Sequence, residues 1–152
     1  MTRTSSLIKF SLLLFCLFFL LQPALATAKM VTVSGNEVNM RTGPSTKNEV
    51  KWVLGKGFPL QVVASKGKWL KVRDFENDVG WVYGPLTSAT PHVVVKTRIV
   101  NMRSGPGKKY RVIGQAKYGV VFRVMKRSPQ WIQVKHESGK SGWVSRSLLW
   151  GL

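Results

Sequence analysis

The sequence predicts an all-β protein: a signal peptide followed by two tandem copies of one small five-stranded β-barrel. Three observations predict it. Val38-Asn39-Met40-Arg41-Thr42-Gly43-Pro44 returns as Val100-Asn101-Met102-Arg103-Ser104-Gly105-Pro106, and adding 62 to a position in the first copy reaches its counterpart without a gap. A period this regular fixes the number of folding units before anything else is read. Within each copy, short apolar runs with period-two alternation are bounded by Gly and Pro, and no amphipathic helix pattern interrupts them. The chain opens on a basic start, a short apolar run and small residues, the layout of an export signal.

The leader comes first in the chain. Arg3 and Lys9 precede an uncharged run from Phe10 to Leu21, and Ala24-Leu25-Ala26 and Ala26-Thr27-Ala28 offer A-x-A cleavage sites. A dozen apolar residues reach only about 18 Å as a helix against roughly 30 Å of hydrocarbon, so a stable membrane anchor is not expected. Cleavage is placed after Ala28, giving a signal peptide over 1–28 and an exported protein: periplasmic, secreted or associated with the cell envelope. Cys16, the one cysteine, lies inside the apolar run and leaves with it. The mature chain then has no thiol, and its domains must be held by packing rather than by disulfides.

Val31-Thr32-Val33-Ser34 reads as the first strand, closed by a turn at Gly35-Asn36, with Val93-Val94-Val95-Lys96 as its counterpart. The first domain spans 31–88 and the second 93–150. Ala89-Thr90-Pro91-His92 joins them, a linker too short and too stiff to let them separate far. Thr42-Gly43-Pro44-Ser45 and Ser104-Gly105-Pro106-Gly107 carry turn chemistry. They open a long polar loop that runs to Gly57 or Gly119, with Asn39 and Asn101 expected to hydrogen-bond the loop backbone. Three strands then follow in meander. Leu70 and Val72, or Ile132 and Val134, share the core face, while Trp69, Lys71 and Arg73, or Trp131, Gln133 and Lys135, occupy the other. Gly80-Trp81-Val82-Tyr83 and Gly142-Trp143-Val144-Ser145 are the last strands, and Leu86 and Leu148 sit in a closing turn. A unit this small buries only about 60 % of its unfolded surface, so packing of one barrel on the other is expected to help both.

N-x-R-x-G-P in a loop, a central W-x-x-V strand and a terminal G-W-V strand, present twice, together resemble the bacterial SH3 domain over nearly all of the mature chain. The resemblance implies a five-stranded SH3-like barrel of the kind found in secreted and envelope proteins, often beside cell-wall hydrolases, and a role in binding peptidoglycan or protein partners. Eukaryotic SH3 domains bind proline-rich helices on a groove that needs a proline and a tyrosine soon after the last strand. Here the segments are Tyr83-Gly84-Pro85-Leu86 and Ser145-Arg146-Ser147-Leu148, so proline-motif binding is not carried over.

Loss of Arg3 and Lys9 leaves 22 of the 24 basic residues against 6 acids, a spread positive charge that favours anionic partners and speeds their encounter. Catalysis is not expected. Wall peptidases of the cysteine type need an activated thiolate, and His92 and His136 stand without a cysteine or acid at metal-ligand spacing. Asp74, Glu76 and Asp78 are the one acid cluster, read as a solvated turn rather than a cation site because the second copy has His136, Ser138 and Lys140 there. No metal or other cofactor is expected. Nucleic acid is a poor partner for an exported protein, although aromatic and basic residues on a small barrel suit it. The candidate ligand surface is the outer face carrying Trp69, Lys71, Arg73, Trp81 and Tyr83 in the first copy and Trp131, Lys135 and Trp143 in the second, with Trp52 and Tyr110 bordering it from the loop. Aromatic rings there can stack on sugar or peptide while cations meet carboxylates. The expected function is non-catalytic binding of peptidoglycan or another anionic envelope polymer, with recognition of an envelope protein as the alternative.

Overall fold

A computed structural model describes residues 28–152. Residues 1–27, which hold nearly all of the signal-peptide reading, lie outside the described residues. Among those described, no helix is long and apolar enough to cross a membrane.

The first unit consists of β1 (Met30–Val33), β2 (Glu37–Arg41), β3 (Val50–Gly55), β4 (Pro59–Lys66), β5 (Trp69–Arg73), β6 (Val79–Tyr83) and β7 (Thr87–Ser88). The second repeats it as β8 (His92–Val95), β9 (Ile99–Arg103), β10 (Val112–Lys117), β11 (Val121–Arg127), β12 (Trp131–Lys135), β13 (Ser141–Ser145) and β14 (Leu149–Trp150). Each forms one antiparallel sheet, ordered β3-β2-β6-β5-β4-β1-β7 and β10-β9-β13-β12-β11-β8-β14. The all-β, tandem SH3-like architecture is therefore as the sequence implies.

The strand count differs from the expected five. β3 and β10 lie inside the stretch read as loop, and the two-residue β7 and β14 pair with β1 and β8 to close each unit. β3 was hidden for a physical reason. It is an edge strand held by its ladder to β2, and only Leu54 of its six residues is buried, so burial imposes no alternation on it. β10 behaves the same way, with Ala116 its one buried residue.

A bulge falls at the same repeat position in both copies, between Val62 and Ala64 and between Val124 and Lys126. Bulges bend a strand and sharpen its twist, which helps these ladders curl. The curl brings β6 against β2 through one register pair, Arg41 with Trp81, and β13 against β9 through Arg103 with Trp143. Glycine is required at that seam: a Cβ on Gly80 would sit 2.6 Å from Met40 Cγ and 3.0 Å from the Arg41 carbonyl oxygen.

Each unit has its own core. Val31, Val33, Val38, Met40, Leu54, Leu60, Val72 and Val82 pack in the first. In the second, Ala116 stands for Leu54 and Phe122 for Leu60. One side chain shrinks and the other grows, a partly compensating exchange of apolar side chains of the kind a core tolerates.

The linker is tied to both domains. The Thr32 hydroxyl donates to the Thr90 carbonyl oxygen at 3.0 Å, and the Val124 N–H donates to that of Pro91 at 2.9 Å. Across the junction the Tyr118 ring meets Phe75 with centroids 5.2 Å apart, Phe75 meets Phe58 at 6.0 Å, and the Tyr118 hydroxyl donates to Glu76 at 2.5 Å.

Candidate functional site

The register of β5 and β6 assembles the outer face of the first domain. Trp69 pairs with Tyr83 and Lys71 with Trp81, and Arg73 lies two pairs further along, opposite Val79. All five are half-buried, because strand alternation sends Val72, Gly80 and Val82 inward. Trp69 and Tyr83 pack ring to ring, centroids 5.4 Å apart and planes tilted by 59°. Tyr83 thus covers one side of the Trp69 indole.

The second copy differs at that point. Ser145 stands where Tyr83 does and pairs in register with Trp131, so the ring that covers Trp69 has no counterpart over that indole among the described residues. The space is a groove of about 800 Å³ lined by Trp131, Ser145, Arg146, Lys108, Pro106 and Pro129, among others. A half-buried indole beside two exposed cations can stack on a sugar or peptide plane while the cations meet its acidic groups. Lys135 does not join this groove. It lies at the far end of β12, about 13 Å along the strand from Trp131, and lines a different cleft.

The loops that wall these surfaces are pinned by the motif arginines. Arg41 Nη1 donates to the Asn48 carbonyl oxygen at 2.7 Å, and Arg103 Nη1 donates to those of Lys108 and Tyr110 at 3.0 and 2.8 Å. Asn101 does not take the loop-backbone role expected of it: its Oδ1 accepts from Gln115 Nε2 at 2.9 Å across the β9–β10 pair. An arginine that crosses the seam has the reach and the donors to hold a loop, whereas Asn101 projects from the exposed face of its strand. Trp52 is on β3 rather than in a loop, and its indole N–H donates to Asp78 Oδ2 at 3.1 Å. Tyr110 remains in the loop and lies on Gly105, where a Cβ would meet its ring at 2.5 Å.

The acid cluster has structural duties. Asp74 is buried, 5 % exposed, rather than solvated, and its Oδ1 accepts the N–H groups of Glu76 and Asp78, both at 2.9 Å. Burial pushes its carboxyl above the ordinary value, against the pull of those two donors. Glu76 is engaged with Tyr118 and Asp78 with Trp52, so the three carboxylates serve three different contacts. Among the described residues no three His, Cys, Asp or Glu side chains gather as a metal site.

Sequence reasoning missed Lys108 and Arg146 at the groove. The signal that would have found them is departure from the repeat: where the second copy changes what the first copy keeps, as Ser145 changes Tyr83, the fold does not demand the change.

The fold defines a class, a tandem pair of small SH3-like barrels, the second of which carries an open groove beside Trp131. The chain belongs to the bacterial SH3 domain family, which matches residues 34–89 and again 96–151. It is 28 % identical, over 74 % of its own length, to the Bacillus subtilis (strain 168) protein YrvJ, whose name marks it as a candidate N-acetylmuramoyl-L-alanine amidase. The chain spans 24 % of that relative. Among solved structures, NlpC2 of Trichomonas vaginalis matches 82 % of the chain at 11 % identity with a TM-score of 0.37, and the chain covers 48 % of it. An NlpC/P60 family protein from Bacillus cereus ATCC 10987 matches 80 % of the chain at 13 % identity with a TM-score of 0.35, and 56 % of it is covered.

Proposed function

We propose that this chain is an exported, non-catalytic binding protein for the bacterial cell wall, taking peptidoglycan or another anionic envelope polymer. The observation that carries the reading is the Trp131 groove, an uncovered indole flanked by Lys108 and Arg146 on a strongly basic chain. Membership of the bacterial SH3 family, and similarity to part of a candidate wall amidase, support the same destination. Two linked domains raise avidity when both engage one polymer. Sedimentation with purified Bacillus subtilis walls tests it: the chain is expected to pellet in a salt-sensitive way, and Trp131→Ala to weaken pelleting several-fold. A chain that stays in the supernatant at low salt would sink the reading. Incubation with labelled wall material is expected to release no fragments, and release by a highly purified sample would restore an enzyme.

One observation favours the second reading, an envelope protein as partner. Edge strand β3 exposes Val50, Trp52 and Val53, and an extended peptide can add to such an edge. Stoichiometric capture of one defined envelope protein, abolished by Val53→Pro, would replace wall polymer with that partner.

A further inference from the structure

The junction between the domains encloses a cleft of about 1090 Å³. Its floor comes from three neighbouring strands of the second domain, because Arg123 on β11 pairs in register with His92 on β8 and with Lys135 on β12. Strands lie about 4.8 Å apart, so three nitrogen-bearing side chains stand in one row roughly 10 Å long. Lys56 enters from the Gly55–Gly57 turn of the first domain, His136 continues from Lys135, and Glu137 is the one acid among the described lining residues.

The fold does not require this row. Like charges directly opposite on a sheet are destabilising, and in the same register of the first copy the row reads Met30, Gln61 and Arg73. The imidazoles are held in place as well. His92 Nδ1 donates to the Thr90 carbonyl oxygen at 3.0 Å, and His136 Nδ1 accepts the Ser138 N–H at 3.2 Å, which leaves His136 Nε2 to carry its hydrogen. Positive charge gathered at a local cost, in a cleft, where the twin row holds Arg73 as its single cation, is the signature of a site for a negative ligand.

We propose that this cleft binds an anionic oxygen group, a phosphodiester or a carboxylate, borne by a polymer. The anion site stands on the row itself, and only the identification of its polymer with the wall rests on the function proposed above.

The experiment follows amide chemical shifts and affinity in the full chain, with poly(glycerol phosphate) in one arm and polyglutamate in the other. One arm is expected to perturb His92, Arg123 and Lys135, and its identity names the source of the anion. Arg123→Gln with Lys135→Gln is expected to weaken that binding about tenfold or more. Arg123→Gln installs the residue the twin position already holds, and Lys135→Arg, also the twin's residue, is expected to retain binding. Lys66→Gln with Lys68→Gln removes equal charge from an exposed turn and is expected to leave affinity within about twofold, since rim charges contribute little. Equal weakening by that pair, or shifts absent from the row in both arms, overturns the site. A chain that binds a polymer through the row yet fails to pellet with walls refutes the wall reading alone. Pelleting unchanged by the double variant, together with unchanged polymer affinity, refutes the cleft alone.

Discussion

The two domains meet through equivalent repeat positions used in opposite ways. On one side Phe58, Phe75 and Tyr118 form a continuous aromatic contact, capped by the Tyr118 hydroxyl on Glu76. On the other side the same positions hold Val120, Glu137 and Lys56, and the space stays open as the basic cleft. Backbone and topology are shared, so the difference comes from side chains alone. One face of the junction is given to cohesion, and the other keeps its charges hydrated and available. A fold that repeats thus acts as its own control: what both copies retain is architecture, and what one copy alters has been released from architectural demand.

Substitutions that treat the two sides alike test this comparison. Phe75→Ala should lower unfolding free energy by about 2 kcal/mol, part of the cost of a fully buried phenylalanine because the ring is half-buried. Glu137→Ala, at the twin position, should fall within about 0.5 kcal/mol of wild type. Urea unfolding measures both, and equal losses would break the distinction.

The grooves offer the next test. Ser145→Tyr supplies the ring that Tyr83 provides in the first domain and should add about 0.5–1 kcal/mol of stability through an aromatic pair. It should also cover Trp131 and reduce wall pelleting. Tyr83→Ser should do the reverse in the first domain, and an unchanged affinity in both would remove the groove from the binding account.

A smaller effect is expected from pH. The Asp74 carboxyl protonates above its ordinary 3.8 in the folded chain, so the native state holds the extra proton over a window that opens at that value. The stabilising contribution of that proton is complete below the window and is lost as pH rises through the raised folded value. Asp74→Asn keeps an oxygen to accept the two N–H groups and lacks the charge, so its stability relative to wild type should climb with pH across the window and then level. A flat difference between pH 3 and 7 would contradict the burial argument.

The smallest effect is spectroscopic. The bond to Glu76 raises the titration of the Tyr118 phenol, so it should ionise late by ultraviolet absorbance. Glu76→Gln should bring it back toward its ordinary value.

Much of the fold was legible because burial writes itself into strands with one face inward. Leu70 and Val72, Ile132 and Val134, and the Gly-Trp-Val strands alternate where the structure needs them to. β3 and β10 were not legible, since an edge strand is held by backbone pairing and leaves its side chains free to vary. The left-handed residue in the acid turn shows the same limit: Asn77 adopts φ 70° where its twin is Gly139 at φ 89°, and only the glycine announces it. Position 74 of the first copy and position 136 of the second share a duty across different chemistry, Asp74 Oδ1 and His136 Nδ1 each accepting the N–H two residues on. Residue identity alone suggested an acid cluster in one copy and a lone histidine in the other.

By itself the sequence determined the duplication, the all-strand class, the inward and outward faces of the central strands and the basic character of the chain, because each is set by local spacing or by composition. Tertiary structure decided that Lys135 leaves Trp131 for another cleft, that Ser145 bares an indole which Tyr83 covers, and that His92, Arg123 and Lys135 form one row. The baring of Trp131 and the row depend on cross-strand register, and the parting of Lys135 from Trp131 on which cleft each end of β12 meets, relations between elements far apart in the chain that no local pattern encodes.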